Sequence, residues 1–133
     1  MQFTKAMEYG MIIMTHLARR REERISAREI TKIEGLPHAF TQRILQELLK
    51  ADLVSSSRGV AGGYRLAKDP KTISLYDIHV ALEGGIDFVS FFDERAEDPN
   101  YSEVEEPLRQ KVHQLHDGIV QEFKKIYLSD FLV

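Results

Sequence analysis

Apolar residues at Phe3, Ala6, Met7, Gly10, Ile13, Met14 and Leu17 recur at three- and four-residue intervals. This spacing predicts a first helix with one buried face, and Thr4 stands where an N-cap hydroxyl would accept from the first turn. Methionines 7, 11 and 14 on that helix are core filler rather than a soft-metal site, since thioethers adapt readily to irregular packing. Ser26-Ala27-Arg28-Glu29 is a capping box and opens a short second helix, buried through Ala27, Ile30 and Ile33 and stopped by Gly35. Pro37 follows at the first turn of a third helix, where its missing N–H costs nothing. Its apolar stripe is Phe40, Ile44, Leu45, Leu48 and Leu49. Helix, glycine-containing turn, helix is the helix-turn-helix signature.

From Leu53 to Ala67 the chain reads LVSSSRGVAGGYRLA: a strand, a glycine-rich tip bearing Arg58, and a return strand in which Tyr64 and Leu66 alternate with Arg65. Gly59, Gly62 and Gly63 supply positive φ angles at the tip and allow backbone to approach backbone. A basic, glycine-tipped hairpin directly after a helix-turn-helix is the layout of a winged helix. After Asp69-Pro70, Ser74 and Asp77 frame a second capping box, and a fourth helix runs to Glu83 with Leu75, Ile78 and Leu82 inward. Gly84-Gly85 ends it and is the best hinge in the chain. Ile86 to Phe92 is apolar and aromatic, and Asp93 to Glu106 reads as a solvated, mobile acidic loop.

A long helix then runs from Pro107 to about Tyr127, roughly 30 Å at the rise of an α-helix. Leu108, Val112, Leu115, Ile119, Phe123 and Ile126 step by four and three, close to a coiled-coil seam. More helix than a small body needs predicts a dimer arm, with Leu108, Val112, Leu115, Ile119 and Phe123 as its contacts. The fold class is thus mainly α with a small β-hairpin wing: a winged helix-turn-helix over residues 1–83, then an acidic loop and dimerisation helix over residues 84–133.

Charge sharpens this division. Residues 1–72 hold 13 Lys plus Arg against 8 Asp plus Glu, whereas residues 73–133 hold 5 against 13, within a net charge of −3. A basic first half facing a polyanion and an acidic second half facing away from it is the simplest reading. The candidate reading face of the third helix carries His38, Ala39, Gln42, Arg43 and Gln46. Gln pairs with adenine, Arg with guanine, and Ala fits against a thymine methyl. Helix N-terminal residues make most base contacts, which favours His38, Ala39 and Gln42. Lys32, Thr41, Ser55, Ser56 and Ser57 are candidate phosphate contacts, with Arg58 and Gly59 at the wing tip.

The chain has no cysteine, which removes disulfides, thiol nucleophiles and thiolate metal sites. His113 and His116 lie three apart, but no carboxylate spacing completes a ligand set around them, so no metal is expected. Glu8, His16 and His79 carry no site signal. Phosphate-cradling loops, a nucleophile elbow and a zinc-protease motif are missing, so the chain does not read as an enzyme. No apolar run approaches a membrane span and no secretory leader pattern opens the chain. A cytoplasmic protein is expected.

The start FTKAMEYG, the run ISAREITKIEGLPHAFTQRILQELLKADLV, the wing RGVAGGYRLAKDPKTIS, the helix LYDIHVALEG and the closing LSDFL together resemble the Rrf2 family of bacterial transcription regulators. The resemblance leaves out the stretch from Ile86 to Glu106. It implies a homodimer bound to a partly palindromic double-stranded DNA operator, with Arg58 in the minor groove and residues 38–43 in the major groove. Gln42 takes the position that discriminates bases in relatives. Cluster-binding relatives place three cysteines in the stretch that here reads FVSFFDERAEDPNYSEVEEPL, and all three are absent. Glu8 matches an acidic cluster ligand that some relatives draw from the partner subunit, but one carboxylate does not hold a cluster without thiolates. No cofactor is therefore expected, and thiol-based sensing is excluded. Any signal comes from another effector or a partner protein. Two alternatives stay open: an interaction module of the same fold without an operator, and a metal or small-molecule sensor.

Overall fold

In the computed structural model, which describes residues 3–132, six helices and one hairpin follow in the order α1 (Lys5–Arg19), α2 (Ala27–Glu34), α3 (His38–Lys50), β1 (Val54–Ser57), β2 (Gly63–Leu66), α4 (Leu75–Glu83), α5 (Ser90–Ala96) and α6 (Glu105–Lys125). Short 3-10 turns cover Pro70–Thr72 and Leu128–Phe131. The Thr4 hydroxyl accepts from Met7 N at 3.2 Å, capping α1, and donates to the Glu83 carboxylate at the far end of α4. Ser74 and Asp77 form the full reciprocal capping box at the start of α4. Gly35 closes α2 in the left-handed conformation.

α1, α3 and α4 pack around a core in which Met7, Ile13, Met14, Leu17, Leu45, Leu48 and Ile78 are wholly or almost wholly buried. Each contributes about 1.5–3 kcal/mol relative to exposure. Gly10 lets α1 and α4 approach closely, because a Cβ there would meet Leu82 Cδ1 at 2.3 Å. The C-terminal stretch returns to the same body. Leu128 N donates to Ile73 O at 2.8 Å, Leu75 N donates to Ile126 O at 2.7 Å, and Leu128 is fully buried.

Several expectations need correction. Pro37 sits at the N-cap, one position before α3, and its carbonyl accepts from Thr41 N at 2.9 Å. Ser26 caps Glu29 N at 3.1 Å, but the Glu29 carboxylate turns to Arg20 instead of completing the box. Ile33 is half exposed, so α2 is buried mainly through Ile30. The stretch expected as a loop contains a helix, α5, whose entry is held by Asp87 accepting from Val89 N and Ser90 N at 2.9 Å. Phe123 is buried within its own chain, stacked on Phe3 and edge-on to His79. It belongs to the body's core rather than to a free seam, whereas Leu108 and Leu115 are more than half exposed.

The acidic stretch is also organised rather than merely solvated. Arg109 Nε donates to Asp93 at 2.8 Å and its Nη1 to Glu106 at 3.1 Å, while Arg95 Nε donates to Glu105 at 2.7 Å. His113 Nε2 lies 2.8 Å from Asp93, and Tyr101 donates to Glu106. The His113 contact, ahead of Arg109, holds the Asp93 carboxyl below its usual range; the Arg95 hydrogen bond does the same for Glu105.

Candidate nucleic-acid interface

The hairpin pairs Val54 with Leu66, Ser55 with Arg65, Ser56 with Tyr64 and Ser57 with Gly63. Alternation along a strand sends successive side chains to opposite faces. Ser56 therefore shares a face with Val54 and Tyr64, while Ser55 and Ser57 share the other with Arg65. The three serines do not form one phosphate-facing row.

Two glycines shape the tip and a third joins it to the body. Gly59 takes φ +100° in open space. Gly62 has no positive φ. It is needed for room, since a Cβ there would lie 2.4 Å from Ser57 O. Gly63 combines φ +137° with backbone contact: a Cβ would lie 2.7–2.9 Å from Ile25 C, Ile25 O and Ser26 N. Next to it Ile25 and Tyr64 exchange two backbone hydrogen bonds, at 2.9 and 2.8 Å. The wing is thereby fastened to the entry of the helix-turn-helix.

A second tie reaches α3, where Gln46 Nε2 donates to the Tyr64 hydroxyl at 3.3 Å. Gln46 thus steadies the wing against α3. His38, Ala39, Gln42 and Arg43 are exposed on the first two turns of α3, and Lys32 is exposed on α2. Thr41 is not part of that face. It is fully buried and its hydroxyl donates to Pro37 O at 2.9 Å, so it makes no phosphate contact. His38 is steadied from α2, its Nδ1 lying 3.2 Å from Thr31 Oγ1.

Among the described residues, Lys32, Arg43, Arg58 and Arg65 form no ion pair, whereas Arg95 and Arg109 beside α6 are each matched by two carboxylates. Arg65 is not among the sequence candidates, although its alternation with Tyr64 and Leu66 puts it on the outer face, where it is exposed.

The remaining titratable groups serve the frame. His16 Nδ1 lies 2.8 Å from Glu34, and both residues, with Glu8, Met11, Ile12 and Phe131, line a cleft of about 400 Å³ beside α1. His79 is buried against Phe123, and burial pushes its pKa down. His113 and His116 turn to different partners: Asp93 for the first, Ile86 O and Asp117 for the second.

A family model described as Rrf2, iron-dependent transcriptional regulator, matches residues 3–133. Iron–sulfur clusters are held mainly by thiolates, and this chain has no cysteine. Among the described residues no three His, Asp or Glu side chains assemble as a ligand set, and Asp93, the carboxylate on His113, also accepts from Arg109. The donor groups present do not fit a thiolate-held cluster.

The chain is similar to an HTH-type transcriptional regulator of Aquifex aeolicus, 35% identical over 78 residues, which is 59% of this chain and 54% of that one. It thus spans about half the length of that relative. It is 31% identical over 123 residues to the regulator CymR of Bacillus subtilis, covering 92% of this chain and 88% of that one. The solved CymR structure, described as the global cysteine regulator of that organism, superposes with a TM-score of 0.77 at 27% identity over 98% of this chain and 95% of that one. The structure of T. potens IscR superposes at 0.73, with 30% identity over 99% and 86%. Because the family model spans the helix-turn-helix, the wing and the C-terminal helix, the chain belongs to the Rrf2 family of transcriptional regulators.

Proposed function

We propose that this protein is a sequence-specific DNA-binding regulator, a repressor by default, that acts as a homodimer on a partly palindromic operator and carries no iron–sulfur cluster. The observation that carries this reading is the placement of unpaired cations. Among the described residues Lys32, Arg43, Arg58 and Arg65, on the helix-turn-helix and wing, form no ion pair, whereas Arg95 and Arg109 beside the acidic stretch are each matched by two carboxylates. Unmatched Lys and Arg on one surface are what a phosphate backbone neutralises, with release of its counterions. The helix-turn-helix and wing of residues 1–83 read DNA, and residues 84–133 join two copies. Support for the second role is the exposure of Leu108 and Leu115 on α6, with Val112 and Ile119 partly covered between them. Among the described residues no helix is long and apolar enough to cross a membrane; the location we propose for this regulator is the cytoplasm.

Selection of bound fragments from a randomised DNA pool tests this. Enrichment of an inverted repeat supports the reading, and loss of all binding even at low salt overturns it. The cleft beside Glu8, His16 and Glu34 favours a second reading, a small-ligand sensor of the same fold. That reading gains if a small molecule shifts the midpoint of thermal unfolding while DNA does not.

A further inference from the structure

We infer that Thr31 fixes the tautomer of His38 so that α3 presents a bare imidazole nitrogen, which reads an exocyclic amino group of adenine or cytosine. This rests on the DNA-binding reading above and extends it to the chemistry of one base contact.

The Thr31 hydroxyl has one hydrogen, and it donates that hydrogen to Ala27 O at 2.8 Å. Only its lone pairs remain for His38 Nδ1, 3.2 Å away. Nδ1 must therefore be the donor. A neutral imidazole carries a single N–H, so with Nδ1 protonated the other nitrogen, Nε2, is an acceptor. His38 is the first residue of α3 and is exposed, at the end from which recognition helices contact bases.

The major-groove edges sort cleanly against such an acceptor. Adenine N6 and cytosine N4 offer donors there, whereas guanine N7 and O6 and thymine O4 are acceptors that would face it lone pair to lone pair. His38 thus selects adenine or cytosine on the strand it meets. Thr31 does not touch DNA in this scheme. It is a positioning residue that acts through the ring.

Base analogues test this on the full-length protein and its selected operator. At each half-site position, adenine is replaced by 2-aminopurine, which moves the amino group out of the major groove, and cytosine by 2-pyrimidinone, which lacks it. At one position the analogue is expected to weaken wild-type binding about fivefold, the worth of one net hydrogen bond. The His38→Ala protein should bind analogue and natural base equally there. Which analogue registers identifies the base as adenine or cytosine. Thr31→Val should lose most of the discrimination, and Thr31→Ser should restore it.

Long-range proton–nitrogen NMR of the free protein reads the neutral ring directly, with Nδ1 expected protonated and Nε2 bare. The opposite tautomer overturns the inference, as does the absence of any half-site position whose analogue sensitivity is lost in His38→Ala. In those cases operator binding itself stands. Recovery of no operator overturns the DNA reading together with this contact.

Discussion

Replacing Gly63 by Ala should detach the wing without unfolding the protein. The residue holds φ +137°, a conformation reserved for glycine, and forcing a side chain into such a region costs about 1–3 kcal/mol. The added Cβ would also press on Ile25 and Ser26 backbone at 2.7–2.9 Å, where no flexible side chain can yield. Relief requires β2 to move away from Ile25, which breaks the two Ile25–Tyr64 backbone hydrogen bonds, each worth about 1 kcal/mol net. The combined cost is roughly 3–5 kcal/mol. This is less than the stability of many domains of this size, so local opening precedes global unfolding. Gly59→Ala is the control: its φ of +100° is strained too, but nothing lies within 4 Å of the new atom, so only the strain remains. Hydrogen exchange at the Ile25 and Tyr64 amides, with urea unfolding of both variants, measures the difference. Gly63→Ala should expose those amides and Gly59→Ala should not. Equal destabilisation by the two, or protected amides in Gly63→Ala, would refute the account of how the wing is anchored.

Other expectations follow from the same geometry. Arg58→Ala should weaken operator binding and reduce the steepness of its salt dependence by about one unit, measured by fluorescence anisotropy across salt. Gln42→Ala should relax preference at one position per half-site, by about 1–3 kcal/mol, rather than weaken all sequences alike; competition among single-base operator variants separates the two outcomes. Leu115→Glu places a charge at a side chain that is 59% exposed on α6, and should yield a folded monomer by light scattering. The Ile86 carbonyl and the Asp117 carboxylate both accept from the His116 ring and raise its pKa. Since the folded value is the higher, its contribution is complete below about pH 6.5 and fades as pH climbs through the folded value. The protection factors of residues 86–93, with the intrinsic pH dependence of amide exchange divided out, should therefore fall as pH rises in wild type but not in His116→Ala.

Where local hydrogen bonding dictates structure, the residues were readable in advance. Thr4, the Ser74–Asp77 box and the Gly35 stop each satisfy backbone groups within a few residues, so spacing alone places them. The wing was readable for the same reason, through its glycines and alternation. Thr41 was misread although its position carried a signal: 41, 44, 45 and 48 are one helical stripe, and a threonine on it is buried when its hydroxyl finds a carbonyl one turn back. Phe123 shows a deeper limit. A seam of apolar residues on a long helix does not say whether its own chain or a second copy covers each one, and Phe3 and His79 cover this one. α5 is only seven residues long, and the pairing of Asp93 with His113 and Arg109 on α6 that holds it spans sixteen to twenty residues. The tie between His38 and Thr31 lay equally out of reach, because it joins two helices across the turn.

The most direct test of the central claim is the ratio of dissociation constants for the selected duplex and its scrambled counterpart at physiological salt, with the number of chains per duplex counted in the same titration. Two chains should bind each duplex, with a preference of about a thousandfold or more, as specific DNA readers show. A ratio near one would contradict it.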